Sequence, residues 1–444
     1  MAEVFMEYLP AWMFLALTIL LMAGYPVTFT LMGTALVFGL IGFGWEFFSL
    51  FPLRVWGVMT NVTLMAVPLF VFMGVMLERS GLAEELLETM GLLFGRVRGG
   101  LAVSVVVVGA LLGASTGIVG ATVVTMGLLA VPTMLRNGYQ KELATGTVSA
   151  SGTLGQIIPP SIILVLLGDI LGVPVGDLFM GAVFPGLVLV GLYCTYILVI
   201  AWFFPKTAPP LSADIMKGLT TRALLRKVSV ALVPPLGLMI AVLGSIFAGI
   251  ASPTEAAAVG AMGAIGLTVA SRKFNMDTLK DVMRRTTYLT CMVFIILVGA
   301  NAFALVFRGM GGDDIIREFI EHLEFNKWQV LAIVMLIIFI IGFFLDFIEI
   351  CFIHIPVLAP IIADFGFSPL WFGVLFAVNL QTSFMTPPFG FSLFYLKAVC
   401  PSEIKTEHIY RGIIPFVVVQ LIGLGLVIAF PALVTWLPTQ VFRP

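Results

Sequence analysis

The chain has 444 residues, 60% hydrophobic and only 11% charged, with a mean hydropathy of +1.12. Soluble domains run at roughly 45–50% apolar and about 25% charged, so no soluble core could hide this surface and the chain reads as a polytopic membrane protein. With 23 basic against 24 acidic residues there is no basic face to neutralise nucleic-acid phosphates. The four cysteines are scattered, without a CxxC pair, and indicate neither a zinc site nor a disulfide framework.

The N-terminus carries Glu3 and Glu7 and no basic residue before its apolar run, unlike a secretory n-region, so Leu9–Ala23 is expected to be retained as the first span. At ~20 apolar residues per crossing, further spans are expected near 27–50, 63–78, 143–168 and 178–204. A polar linker follows at 205–228, and then spans near 229–250, 253–270, 286–308, 369–399 and 410–437. Two apolar regions, 101–136 and 328–365, are too long for one span, and each is interrupted: GASTG at 113–117 and DFIE at 346–349. Both read as re-entrant helical hairpins, because backbone leaves helical geometry at membrane depth only inside protein or against a water-filled cavity.

If the linker is cytoplasmic, threading the spans outward leaves only Arg54, Arg308, Arg317, Lys327 and Arg443 outside, with all other Lys and Arg inside. This satisfies the positive-inside rule and puts both termini outside. The halves also repeat. Pro132, Gly138, Pro159 and Pro160 recur 228 residues later as Pro360, Gly366, Pro387 and Pro388. Pro26 and Gly33 recur 227 residues later as Pro253 and Gly260. Ahead of the hairpins, Leu82, Leu86, Met90 and Leu93, and again Ile315, Phe319, Ile320 and Leu323, have the spacing of interfacial amphipathic helices. The expected fold is therefore all-α, with an N-terminal repeat over 1–204 and a C-terminal one over 229–444. Each has five spans and one hairpin, and the odd number of crossings inverts the second copy, as in many secondary transporters.

After each hairpin comes a span broken at its centre, SASGTLGQIIPPS at 149–161 and NLQTSFMTPPFG at 379–390. A proline frees the carbonyl one turn earlier. Freed carbonyls and hydroxyls are hard ligands suited to an alkali cation, and the half-helices beyond the prolines present positive dipole ends to an anion. Ser115 and Thr116 at the first tip point to a ligand. Asp346 and Glu349 are intramembrane carboxylates at the second tip, which marks them as functional candidates for cation or proton binding, with His354 a weaker one on the same helix. Ser252-Pro253-Thr254-Glu255 reads instead as a helix start, with Ser252 the N-cap and Glu255 the partner in a capping box. GASTG also fits G-x-S-x-G, but a nucleophile elbow needs a preceding strand and a histidine partner, and apolar helices flank it here. An intramembrane serine protease is thus the remote alternative to transport. No Walker A, HExxH or dinucleotide fingerprint is present, so an enzyme is not expected and no cofactor is implied.

VPLF at 67–70, GASTG through GATVVTMG to 127, NGY at 137–139, SGTLGQIIPPSI at 151–162, ASPTEAAAVG at 251–260, FLD at 344–346 and VNLQTSFMTPPFG at 378–390 resemble the large membrane subunit of TRAP (tripartite ATP-independent periplasmic) transporters over nearly the whole chain. The resemblance implies an elevator-type, sodium-driven importer of organic acids in a bacterial inner membrane. Its partners would be a small four-helix membrane subunit and a periplasmic substrate-binding protein. It implies sodium ligands among Ser115, Gly117, Gly152, Thr153, Gly155, Gln156, Asp346, Thr382 and Ser383, and substrate contacts from Ser115, Thr116, Gln381 and Thr386. The run DFIEI at 346–350 resembles a branch linked to 2-oxo acids or other monocarboxylates. A stand-alone ion-coupled anion carrier or antiporter with similar repeats is the alternative within transport. The charge-based orientation is tested by cysteines introduced one at a time. Those at Thr220 and Ser271 should react with an impermeant reagent only from the cytoplasm, and one at Gly312 only from outside; the opposite pattern would refute the orientation.

Overall fold

The computed structural model describes residues 8–211, 221–322 and 324–442; the middle of the linker, with Lys217 and Thr220, lies outside them, as do Leu323 and Arg443, and so do the side chains of Leu82, Phe319 and Ile320. The described residues are all-helical. Eight helices are long and apolar enough to cross a membrane, and a bent pair, Ser49–Met59 with Thr63–Arg79 at 53°, adds a ninth.

The first half runs α1 (Leu9–Met22), α2 (Val27–Phe43), α3 (Phe47–Met59), α4 (Ala66–Arg79) and α5 (Leu82–Phe94). Next come α6 (Gly100–Thr116), α7 (Val119–Arg136), α8 (Lys141–Thr153), α9 (Ile162–Leu171) and α10 (Val175–Phe203). The second half runs α11 (Thr221–Phe247), α12 (Pro253–Ala270), the long α13 (Met276–Gly309), α14 (Gly312–His322) and α15 (Lys327–Ile341). It continues with α16 (Phe347–Asp364), α17 (Pro369–Met385), α18 (Phe391–Val399), α19 (Thr406–Ala429) and a final α20 (Ala432–Phe442).

Three boundaries differ from the sequence reading. The span expected at 27–50 ends its helix at Phe43, passes through a 3-10 turn at Gly44–Glu46, and gives way to α3, a helix the pattern had left as a loop. The phenylalanine-rich, proline-containing run FFSLFPLRVWGVM has only Ser49 and Arg54 as polar residues, and hydropathy alone could not separate its helix from its neighbours. Helix α11 is already formed at Thr221, within the stretch read as linker. The strand-like stretch after α10 is pinned to the loops beside it, with Gly99 N–H donating to Ala208 O, Gln140 N–H to Thr207 O and Leu211 N–H to Gly95 O at 2.8–3.0 Å.

Contacts between helices come in related pairs. α4 packs on α12 and α2 on α13; α8 packs on α19 and α10 on α17. α9 packs on α16 and α7 on α18, and α6 meets α8 as α15 meets α17. Small residues permit the closest of these. A Cβ on Gly146 would overlap the Gly412 carbonyl, and one on Gly412 the Glu142 carbonyl, so α8 and α19 touch backbone to backbone. The amphipathic α5 buries Leu86, Leu87 and Met90 and leaves Glu84 and Glu88 exposed. Its acids meet lysines of the second half, Glu85 with Lys273 in the loop after α12 at 3.1 Å and Glu88 with Lys227 of α11 at 3.3 Å. These exposed pairs orient α5 more than they stabilise it. Ser252 and Glu255 form the expected capping box, with Ser252 N–H donating to Glu255 Oε2 at 2.8 Å and Glu255 N–H to Ser252 Oγ at 3.3 Å.

A close backbone approach joins α6 to the turn after α8. A Cβ on Gly113 would lie 2.7 Å from the Cα and N of Gly155, and one on Gly155 would overlap the Gly113 backbone. Neither neighbour can yield, so Gly155→Ala should cost about 1–3 kcal/mol. Gly237→Ala on α11, where a Cβ meets nothing within 4 Å, is the control. Thermal melting of the purified protein should show a clear drop for the first and none for the second; equal melting would mean that this crossing is not close-packed.

Candidate functional site

The site grows from four places where helix stops. At the first tip, α6 ends on Gly117, whose φ of 63° is left-handed and whose N–H donates to Gly113 O at 2.7 Å. Only glycine takes that conformation without cost. At the first break, α8 tightens into a 3-10 turn at Leu154–Gln156 and unwinds through cis Pro159–Pro160 before α9. At the second tip, α15 ends at Ile341 and α16 starts after Asp346. At the second break, α17 ends at Met385 and cis Pro387–Pro388 precedes α18.

Each tip rests on the break of its own half. Gly113 lies on Gly155, and the Ser383 side chain fills the space a Cβ on Gly342 would need. Gly74 of α4 lies against the backbone of Ser115 and Thr116. The 3-10 turn Leu154–Gln156 in turn contacts α17, which carries Gln381, Thr382 and Ser383, so the two breaks are neighbours. Tyr395 of α18 spans the tips. Its ring packs on Gly120 of α7, and its hydroxyl lies within electrostatic reach of Asp346 and Glu349.

Most expected hydroxyls are turned onto their own helices. Ser115 Oγ donates to Leu112 O at 2.8 Å, Thr153 Oγ1 to Ala150 O at 2.8 Å, and Thr382 Oγ1 to Val378 O at 3.0 Å. Ser383 Oγ donates to Leu380 O at 2.8 Å and Thr386 Oγ1 to Thr382 O at 2.7 Å. Thr116 Oγ1 shares a 2.8 Å hydrogen bond with Thr122 Oγ1. Each hydroxyl oxygen bound this way still has lone pairs to offer. Gly152 packs on Val123 and Gly155 on Gly113, so what those two glycines can offer a ligand is carbonyl oxygen. Asp346 is half-buried at the N-cap of α16, and Glu349 Oε2 accepts its N–H at 3.1 Å. Glu349 thus has a capping role. His354 is buried, set edge-on to the Phe14 ring at 5.8 Å, and lines an apolar cavity with Phe307 and Ile341. Among the described residues no three His, Cys, Asp or Glu side chains cluster as a metal site, so a cation here would rest chiefly on hydroxyl and carbonyl oxygens.

Four polar side chains in this region are fully buried with atoms that find no partner: Gln156 at both amide atoms, Gln381 at Oε1, Thr147 at Oγ1 and Ser149 at Oγ. An orphaned buried amide costs about 1–3 kcal/mol unless something supplies its bond. Gln156 and Gln381 were expected in the site; Thr147 and Ser149 were not, because they stand among other hydroxyl residues, Thr145, Ser151 and Thr153, from which sequence alone does not separate them. A second group was also missed. Tyr193 Oη donates to Gln420 Oε1 at 2.6 Å and accepts from Gln381 Nε2 at 3.4 Å, while Gln420 Nε2 donates to Val378 O at 3.2 Å. Gln420 sits alone in an apolar run, and that isolation was the one available signal.

Hairpin tips docked on broken helices inside an all-helical membrane protein define a transport permease. Comparison identifies the kind. The family model described as "Tripartite ATP-independent periplasmic transporter, DctM component" matches residues 14–433, and this chain belongs to that family. It is a multi-pass membrane permease of the bacterial TRAP family and not an enzyme. It is 32% identical to the C4-dicarboxylate TRAP transporter large permease of Pseudomonas aeruginosa, over 85% of this chain and 86% of that protein. It is 27% identical to the sialic acid TRAP transporter large permease of Vibrio cholerae, over 94% and 96%. The ectoine TRAP transporter large permease of Halomonas elongata matches at 28%, over 96% and 97%. Among solved structures the YdaH transporter of Alcanivorax borkumensis shares the fold, with a TM-score of 0.60 at 15% identity over 88% of this chain and 89% of that one.

The buried tyrosine link gives a test of packing at the site. Tyr193→Phe leaves Gln420 Oε1 and Gln381 Nε2 without their partner and should lower stability by about 1–3 kcal/mol. Adding Gln420→Leu should cost less than the sum of the two single changes, because the pair is then removed together. Strict additivity in melting experiments would show that the two side chains are not coupled.

Proposed function

We propose that this chain is the large permease of a sodium-coupled importer of organic acids, working with a small four-helix membrane subunit and a periplasmic substrate-binding protein. The observation that carries the reading is the docking of each hairpin tip on the broken helix of its own half, at Gly113–Gly155 and Gly342–Ser383. The relatives' named substrates, C4-dicarboxylates, sialic acid and ectoine, all carry a carboxylate and support an organic acid as cargo. The paired contacts and the 227–228-residue offsets support two inverted repeats, with both termini on the outer side.

In this reading α6–α9 and α15–α18 move together as the transport part, because α9 grips α16 and α18 grips α7 across the halves. α2, α4, α12 and α13 form the scaffold against which that part slides. Sodium binds between Ser115, Gly117, Gly152, Thr153, Gly155 and Gln156 in one half, and between Asp346, Thr382 and Ser383 in the other. The substrate lies between the tips, held by Ser115, Thr116, Gln381 and Thr386. Sodium supplies the positive charge that lets a carboxylate enter a region poor in cationic side chains.

Two measurements test this. In proteoliposomes holding the three components, uptake should collapse without an inward sodium gradient and persist without ATP while that gradient is held; uptake that follows ATP and ignores sodium would refute the coupling. Asp346→Asn keeps the size of the side chain and one acceptor oxygen while removing its charge. A carboxylate that binds a cation in a partly desolvated site contributes a few kcal/mol, and each ~1.4 kcal/mol is tenfold in affinity. The sodium concentration for half-maximal uptake should rise roughly ten- to a hundredfold, with assembly unchanged. An unchanged sodium curve at normal expression would remove Asp346 from the site.

A further inference from the structure

A cavity of 460 Å³ lies away from the tips, between α3 and α13 on one side and the end of α9 and the middle of α16 on the other. Its charged lining is Arg54, Arg308 and Asp169, with Asn301 between them; Leu297 and Phe352 are among its apolar walls. The three charges are differently engaged. Asp169 accepts from Asn61 Nδ2 at 2.5 Å. Arg308 donates to the Pro356 carbonyl of α16 at 2.5 Å and pairs with Asp313 at 3.5 Å. Arg54 makes no ion pair among the described residues. It stands on a helix whose other faces are apolar, with Leu53 and Trp56 exposed beside it. Two guanidinium groups face one already engaged carboxylate, and low-dielectric walls focus their field.

We propose that this cavity is a vestibule that takes up a carboxylate anion on its way to the tips. Arg54 is the group that recognises the anion, its planar fork matching a carboxylate bidentately, and Arg308 is a second, fixed charge. Asn301 donates one amide N–H to Leu297 O at 2.9 Å and keeps the other for the ligand. The anion sits between α13, assigned above to the scaffold, and α9 and α16 of the moving part, so its place is open in one position of the transport part and altered in the other. This deepens the transport reading and rests on it for the role of the anion as cargo.

The test reads charge directly. Asn301→Cys is introduced into the full chain with its four native cysteines replaced, reconstituted in phosphatidylcholine vesicles. Modification rates are compared for a negatively and a positively charged methanethiosulfonate. The negative reagent should be favoured by about tenfold or more relative to a surface cysteine at Gly44. Arg54→Gln should remove most of that preference, and Arg54→Lys should retain it. Succinate, pyruvate or N-acetylneuraminate, tested one by one, should slow modification, at least one of them severalfold. Equal rates for the two reagents, a preference untouched by Arg54→Gln, or no modification by either would overturn the proposal. So would protection by added phosphatidylglycerol but by none of the three acids, which would make the cavity a lipid headgroup site. Because the charge preference needs neither sodium nor uptake, loss of sodium-driven uptake would sink only the transport reading.

Discussion

Helix backbone that stops inside a membrane leaves N–H and carbonyl groups unpaired, and in hydrocarbon each costs several kcal/mol. This chain stops its helices four times in its interior and satisfies the freed groups locally. Gly117 N–H reaches Gly113 O, Ser161 Oγ donates to Gln156 O at 2.7 Å, and Ser392 Oγ donates to Phe384 O at 2.9 Å. Glu349 takes the Asp346 N–H, and Tyr410 Oη donates to Pro388 O at 2.8 Å. The tips lie directly on the breaks, and glycine at Gly113, Gly155 and Gly342 permits that approach. Beside these breaks the side chains of Gln156, Gln381, Thr147 and Ser149 hold buried polar atoms without a protein partner.

The same constraint ties the halves together. A half-helix of about ten residues, such as Ile162–Leu171 or Phe391–Val399, is too short to cross alone and must be buried by neighbours. α9 finds its neighbour in α16 and α18 in α7, each in the opposite half. Neither hairpin can then move without carrying the other half's broken helix. The long α2 and α13, by contrast, pack chiefly along their length through small residues such as Gly299, which faces Leu31 and Met32. Interrupted helix is thus concentrated in α6–α9 and α15–α18, and long uninterrupted helix in α2 and α13.

Much of this was legible because breaks at membrane depth use few residue types. Two Pro-Pro pairs at a fixed offset located α9 and α18, and the amphipathic spacing of Leu86 and Met90 located α5. The Ser252–Glu255 box marked the start of α12. What escaped was whatever depends on three-dimensional neighbours. Gly155 reads as a possible cation ligand, yet its first duty is to admit the Gly113 backbone. Glu349 reads as a functional acid, yet it caps α16. The Tyr193–Gln420–Gln381 link joins residues more than 180 positions apart, and nothing in the local pattern of either helix points to the other. α3 was missed because hydropathy counts apolar length and does not see a bend.

The central claim is that each tip and its break enclose a sodium site. The direct measurement is a pair of cryo-electron-microscopy maps of the complete transporter, one in sodium and one in potassium at equal ionic strength, each with the same carboxylate. The account requires compact density in sodium, absent in potassium, within coordination distance of oxygens at Gly117–Gln156 in one half and Asp346–Ser383 in the other. Identical density in both salts, or sodium-dependent density only elsewhere, would contradict it.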